Sequence, residues 1–228
     1  MTASSIYEAL KASCADDWQA YTGHEFVARL AEGSLPEPAF RYYLIQDYLF
    51  LRHFSRAYAL AVYKADEVAD MRQAAATLGA LINDEMSLHV DYCARWGIGE
   101  AEMAAAPEHP ANMAYTRYVL ERGMAGDLLD LLVALSPCVA GYGEIGRRLA
   151  GMKSALSLEN PYRNWVETYG GDDYQSVARA SVEQLDRVAA ARIGADASAS
   201  PRWPELARTF RDATRLEIGF WQMGLDAA

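Results

Sequence analysis

The stretch EPAFRYYLIQDYLFLRHFSRAYALAVY, residues 37–63, decides how this chain folds. Phe40, Tyr43, Leu44, Phe50, Leu51, Phe54 and Tyr58 recur in it at spacings of three, four or seven, which wind onto one face of a helix. Pro36 and Pro38 stand where that helix begins, a place that tolerates a missing N–H. The same periodicity extends outward in both directions and predicts helices over 4–20, 24–32, 68–96, 110–123, 127–152, 172–193 and 203–225. Strand-like alternation is scarce. Gly194–Pro201, rich in small residues, reads as a surface loop before the last helix. The expected architecture is all-α, a single-domain helical bundle over residues 1–228. No Pro/Gly/Ser-rich linker, fixed-period repeat or coiled-coil heptad interrupts it.

Of the 228 residues, 52% are hydrophobic and 23% charged, a globular balance. The formal net charge is −10, with no cluster of Lys and Arg to displace counterions from phosphate, which argues against a nucleic-acid partner. An acidic surface also disfavours an anionic membrane. Met1–Ser5 lacks the basic and apolar regions of a signal peptide. The richest apolar run, Leu128–Leu135, is interrupted by Asp130, so no membrane span is expected. Cys14, Cys93 and Cys138 are sparse, odd in number and without CxxC spacing, as thiols in a reducing cytoplasm would be.

Helical bundles build sites between facing helices, so polar residues on apolar faces carry the chemical information. Along Gly126–Gly151, Cys138 and Tyr142 are four apart within a stripe of Leu131, Leu132, Leu135, Ile145 and Leu149. Cys138 is therefore expected to be buried on the inner face. Pro137 removes a helical hydrogen bond immediately before it and leaves a carbonyl one turn earlier without its usual donor. The spacing fits a reactive thiol beside a phenol, and equally a cysteine packed as a small hydrophobe. Asp47 lies on the inner stripe of residues 37–63, where a carboxylate needs a partner: a Tyr or Arg of the core, or the N–H groups of a ligand. Glu217 and Phe220, three apart on the last helix, present an acid and an aromatic wall to one side, suiting proton transfer near an apolar pocket. Tyr115, Tyr142 and Tyr169 fit either core packing or the lining of a flat heteroaromatic site. Asp84, Glu85 and His89 raise a metal reading, but a di-iron bundle wants Glu-x-x-His on two helices, and Glu85-Met-Ser-Leu-His89 has neither that spacing nor a second copy. No metal site is expected. Gly-rich phosphate loops and a G-x-S-x-G elbow are absent from the sequence, and no histidine is near Cys138 along the chain.

Taken in order, these residues resemble the thiaminase II (TenA) family of aminopyrimidine hydrolases, in its cysteine-containing branch. The likeness runs through Gly33-Ser-Leu-Pro36, Phe40-Arg-Tyr-Tyr43, Gln46-Asp47, Leu51 with His53-Phe54, and Tyr115-Thr-Arg-Tyr118. It continues through Ser136-Pro137-Cys138 with Tyr142, Trp165, Thr168-Tyr169-Gly-Gly171, and Glu217 with Phe220-Trp221. The resemblance implies a haem-oxygenase-like helical fold, a homotetramer in the cytoplasm, and a deep pocket with no metal or organic cofactor. It implies Cys138 as the nucleophile toward a pyrimidine ring, Glu217 as the acid/base, and Asp47 as the acceptor for the ring nitrogen and 4-amino group. Tyr142 matches the phenol beside the thiol, and Tyr115, Tyr169 and Phe220 match residues around the ring. One common form of the pattern has Tyr where this chain has Phe50, so the aromatic wall is kept and one hydroxyl is lost. The implied activity is hydrolysis of 4-amino-5-aminomethyl-2-methylpyrimidine, and of thiamin, to the hydroxymethylpyrimidine. Two alternatives stand beside it: a pyrimidine-binding or regulatory protein without turnover, and a haem or di-iron oxygenase on the same fold, for which His24 is the conceivable haem ligand.

Overall fold

The computed structural model describes residues 5–227. The chain begins with α1 (Ile6–Ser13), α2 (Ala15–Thr22), α3 (Glu25–Glu32) and the long α4 (Glu37–Lys64). Next come α5 (Val68–Ala80), a π-helical turn (Leu81–Glu85), α6 (Met86–Ala94), α7 (Glu100–Ala105) and α8 (Pro110–Ala125). It closes with α9 (Leu128–Ala150), α10 (Arg163–Gly170), α11 (Asp172–Ile193), a 3-10 turn (Ala197–Ala199) and α12 (Trp203–Asp226). The described residues contain no strand, and the fold is all-α.

Local chemistry explains where the helices begin and end. Prolines open α4 as expected. The helix predicted over 4–20, whose first residue lies outside the described residues, is two helices, because Cys14 leaves the helical region at φ −139° and ψ 42°. The stretch 68–96 is helical nearly throughout, but it passes through one π turn in which the Met86 N–H donates to the Leu81 carbonyl five residues back. Helices α7 and α10 were not expected. Gly33 ends α3 at φ 75°, a conformation that favours glycine, and Asn160 packs against it, donating to the Leu30 and Ala31 carbonyls at 3.1 and 3.2 Å. The Gly194–Pro201 loop holds a single 3-10 turn, capped by the Asp196 side chain.

Asp130 does not break an apolar run. It belongs to the start of α9, where Asp127 accepts from the Leu129 N–H at 2.8 Å and Asp130 accepts from the Asp127 N–H at 2.8 Å. The apolar stretch is consequently longer than its sequence suggested. Among the described residues α9 is one helix long and apolar enough to cross a membrane, with a mean hydropathy of 1.5 over its best window, yet 83% of that window is buried inside the protein. Its apolar character is used up by core packing.

Contacts gather the chain into two compact units. The first comprises the described residues through Leu35 together with Leu132–Ile218. Here Trp18 stacks on Phe210 at 5.5 Å and meets Tyr7 edge-on at 6.0 Å. Gln175 ties α11 to its neighbours, donating to the Gly143 and Tyr169 carbonyls, each at 2.8 Å. The second unit comprises Pro36–Leu131 and the described residues from Gly219 onward. In it Tyr43 packs against Trp221 at 5.4 Å, and Gln46 clamps the start of α8 to α4. Each fully buried ring removes about 150–250 Å² from water, on the order of 4–6 kcal/mol as an upper bound. Surface ion pairs such as Arg208–Glu205 contribute about 0–1 kcal/mol, so the aromatic cores dominate stability.

Candidate active site

Helix α9 carries Cys138 through a proline that the surrounding structure has repaired. Pro137 lacks the N–H that would meet the Val133 carbonyl, and Ser136 Oγ donates to that carbonyl instead, at 3.0 Å. Tyr21, fully buried, donates its hydroxyl to the Pro137 carbonyl at 3.2 Å and lies against Gly141. The backbone on both sides of Cys138 is thereby fixed.

The expectation of a buried Cys138 is corrected by the structure. From Leu131 to Gly143 every residue is buried except Cys138, which is only partly covered. The other two cysteines behave as packing residues. Cys93 is fully buried, and burial pushes its thiol up to about 11, while the Cys14 thiol is also raised by burial.

Tyr142, one turn beyond the thiol, contacts Tyr169 of α10 at 5.1 Å and Trp165 at 5.9 Å between ring centres. The close approach of α10 depends on Gly146. A Cβ there would sit 2.4 Å from the Tyr169 backbone carbonyl. Glu217, on α12, is only 1% exposed. A carboxylate taken so far from water requires polar company in place of water. The first unit thus holds Cys138, Tyr142, Tyr169 and Glu217. One cavity of this unit, of about 300 Å³ and lined by charges of both signs including Lys11, Glu144, Arg147 and Glu183, includes none of these four residues.

The second unit holds Asp47, Phe50, Tyr115 and Phe220. Phe50 meets Tyr115 at 5.1 Å and Phe220 at 5.4 Å, so three of the predicted ring-lining residues form one aromatic cluster. Asp47 precedes Phe50 by three residues on α4 and is 4% exposed. Its partner is neither a Tyr nor an Arg. His89 Nε2 lies 2.7 Å from Asp47 Oδ2, and His89 Nδ1 lies 2.7 Å from the Glu85 carbonyl.

Burial alone would lower the His89 pKa. The hydrogen bond and charge of Asp47, with the charge and carbonyl of Glu85, more than offset this and hold it above its ordinary value. Both ring nitrogens are engaged, which accounts for His89 without a metal. Among the described residues no group of three or more His, Cys, Asp or Glu side chains gathers as a metal site would require. His24 serves α3 as its N-cap, its Nδ1 accepting from the Phe26 N–H at 3.2 Å. His89 is the polar residue that sequence reasoning missed in this role. The signal was the need of a buried Asp47 for a partner, but a partner 42 positions away has no local trace.

A family profile described as the TENA/THI-4/PQQC family matches residues 12–227. An uncharacterized protein of Haemophilus influenzae is 43% identical over 215 residues, covering 92% of this chain and 94% of its own. An aminopyrimidine aminohydrolase of Halalkalibacterium halodurans is 33% identical over 222 residues, covering 97% of this chain and 94% of its own. Among solved structures, a TenA family transcription regulator from a Silicibacter species aligns with a TM-score of 0.92 at 50% identity, covering 98% of this chain and 97% of that one.

Proposed function

Because this chain belongs to the TENA/THI-4/PQQC family, we propose that it is an aminopyrimidine hydrolase of the thiaminase II type. Its substrate would be 4-amino-5-aminomethyl-2-methylpyrimidine, with thiamin as a second. The observation that carries the reading is the surface kept by Cys138 alone within an otherwise buried length of α9. A cysteine retained only for packing would be covered like Cys93.

In this reading the Cys138 thiolate adds to an electron-poor ring carbon, and the displaced electron pair moves into the ring. The aminomethyl nitrogen takes a proton from Glu217 and leaves as ammonia, drawing that pair into an exocyclic double bond. Water then gives a proton to the Glu217 carboxylate and adds to the exocyclic carbon. The carbon–sulfur bond breaks, returning the thiolate and releasing the hydroxymethylpyrimidine. Asp47 accepts hydrogen bonds from the amino edge of the ring. Tyr142 stands beside the thiol, and Phe50, Tyr115, Tyr169 and Phe220 offer aromatic faces to a flat ligand. Phe50 lacks the hydroxyl of the common pattern, which shifts recognition at the C5 substituent rather than the reaction. A cytoplasmic homotetramer working without metal or organic cofactor goes with this reading.

The test is release of ammonia and hydroxymethylpyrimidine from each substrate by the wild type and by Cys138→Ala. The variant is expected to lose about three orders of magnitude or more in kcat/KM. Full activity in the variant would overturn the nucleophile. A second reading, binding without turnover, draws on the neighbour named a transcription regulator. A net charge of −10 opposes direct contact with DNA. Pyrimidine binding by the wild type with no ammonia released would favour that reading.

A further inference from the structure

The proton count between Asp47 and His89 is fixed by their surroundings. A backbone carbonyl can only accept, so the 2.7 Å contact from His89 Nδ1 to the Glu85 carbonyl requires a proton on Nδ1. The 2.7 Å contact from Nε2 to Asp47 Oδ2 then needs one proton between them. Either an imidazolium donates to a carboxylate, or a protonated Asp47 donates to a neutral ring. His89 and Asp47 are 1% and 4% exposed, so neither charge is accommodated by water.

We infer that His89 is a positioning residue that holds Asp47 as a carboxylate, with Oδ2 fixed by the imidazolium and Oδ1 left for the amino edge of the pyrimidine. The inference rests on the hydrolase reading above and extends it to a residue that does not touch the substrate. The ionised pair is favoured because imidazolium and carboxylate attract at hydrogen-bond distance, and the Glu85 charge and carbonyl further favour a ring protonated on both nitrogens. The raised His89 pKa agrees with that state. The charged groups acting on the ring are Asp47 from α4 and Glu85 from the π turn. The π turn contributes geometrically: Glu85 is its last residue, and its carbonyl takes the Nδ1 proton that sets the tautomer.

Uniform ¹⁵N-histidine labelling and long-range nitrogen–proton spectra at neutral pH read the state of the ring directly, with His89→Gln assigning the signal. The wild type should show His89 protonated on both nitrogens. Asp47→Asn should convert it to a neutral ring protonated on Nδ1 alone, with Nε2 accepting from the new amide. A neutral His89 in the wild type, or an Asp47→Asn spectrum identical to it, would overturn the inference.

Kinetics supply the functional arm. Gln at position 89 keeps a donor but loses the charge, and is expected to lower kcat/KM about tenfold or more, mainly through KM. Leu, which has no donor, should lower it further. A wild type that hydrolyses the aminopyrimidine beside a His89→Gln variant with unchanged KM and kcat would refute the positioning role and leave the function standing. A wild type with no hydrolysis would sink the functional reading, and the spectra would still decide the pair. The wild-type and Asp47→Asn spectra keep the inference testable if variants at position 89 fail to fold.

Discussion

Gly146→Ala and Gly219→Ala place the same methyl group in two long helices, and the structure assigns them opposite signs. Neither glycine has positive φ, so alanine fits both backbones. In a helix interior Ala is favoured over Gly by about 1 kcal/mol. At Gly219 a Cβ would meet nothing within 4 Å, so that gain is realised and Tm should rise by about 2–4 °C. At Gly146 the Cβ would lie 2.4 Å from the Tyr169 carbonyl carbon and oxygen and 2.8 Å from the Gly170 nitrogen. Ordinary contact needs about 3.5 Å, so a gap of about 1 Å must open.

The atoms in the way are backbone, tied at the Tyr169 carbonyl by Gln175 at 2.8 Å, and cannot swing aside as a flexible side chain would. Overpacking of this kind costs about 1–3 kcal/mol, and a lost hydrogen bond adds about 1 kcal/mol. After the propensity gain, Gly146→Ala should be about 1–3 kcal/mol less stable, lowering Tm by about 2–12 °C. Moving Tyr169 also disturbs its 5.1 Å contact with Tyr142, so kcat/KM should fall in the surviving folded protein. Thermal unfolding followed by circular dichroism measures both variants. A Gly146→Ala protein that melts at or above the wild type would refute the close approach of α9 and α10.

Iodoacetamide at neutral pH should label Cys138 in the folded protein before Cys14 or Cys93, both of which are buried with raised thiol pKa values; peptide mass spectrometry giving the reverse order would remove the support for a reactive Cys138. Ser136→Ala should destabilise by about 1–3 kcal/mol, because the Val133 carbonyl loses the donor that replaces the missing proline N–H, and an unchanged denaturation midpoint would argue against that repair. For pH, His89 has a raised folded pKa, so its pairing contributes fully below the unfolded value of about 6.5 and is lost as pH rises through the folded value. The Tm advantage of the wild type over His89→Gln should therefore shrink on the alkaline side, and a constant difference across the scan would contradict the assigned shift.

Much of this architecture was legible because helices advertise themselves locally. The 37–63 stripe, its opening prolines and the shared face of Cys138 and Tyr142 all follow from spacing. The break at Cys14 did not show, since no glycine or proline marks it. Asp130 misled because its side chain takes the Asp127 backbone N–H at a helix start, a role that its place in an apolar run does not show. Asp47 was recognised as needing a partner, yet its partner comes from another helix, and pattern reading has no access to pairings at that separation. Cys138 was expected to be buried because the apolar stripe surrounds it. Residual surface depends on how neighbouring volumes add up in three dimensions, which periodicity does not encode.

The π turn at Leu81–Glu85 has a consequence for insertions and deletions. Because the Met86 N–H reaches five residues back, this helix accommodates one residue more than α-helical winding would. Deleting one residue there would let the segment close as uninterrupted α-helix with its hydrogen bonds intact. The Leu81 carbonyl and the Met86 N–H would remain partners, now four residues apart, so everything beyond would keep its facing relative to α5. His89 would stay toward Asp47, whereas one residue lost from the α-helical turns of α5 would rotate it away by about 100°. The π turn acts as an expansion joint, taking up one residue of length without changing which way the following helix faces.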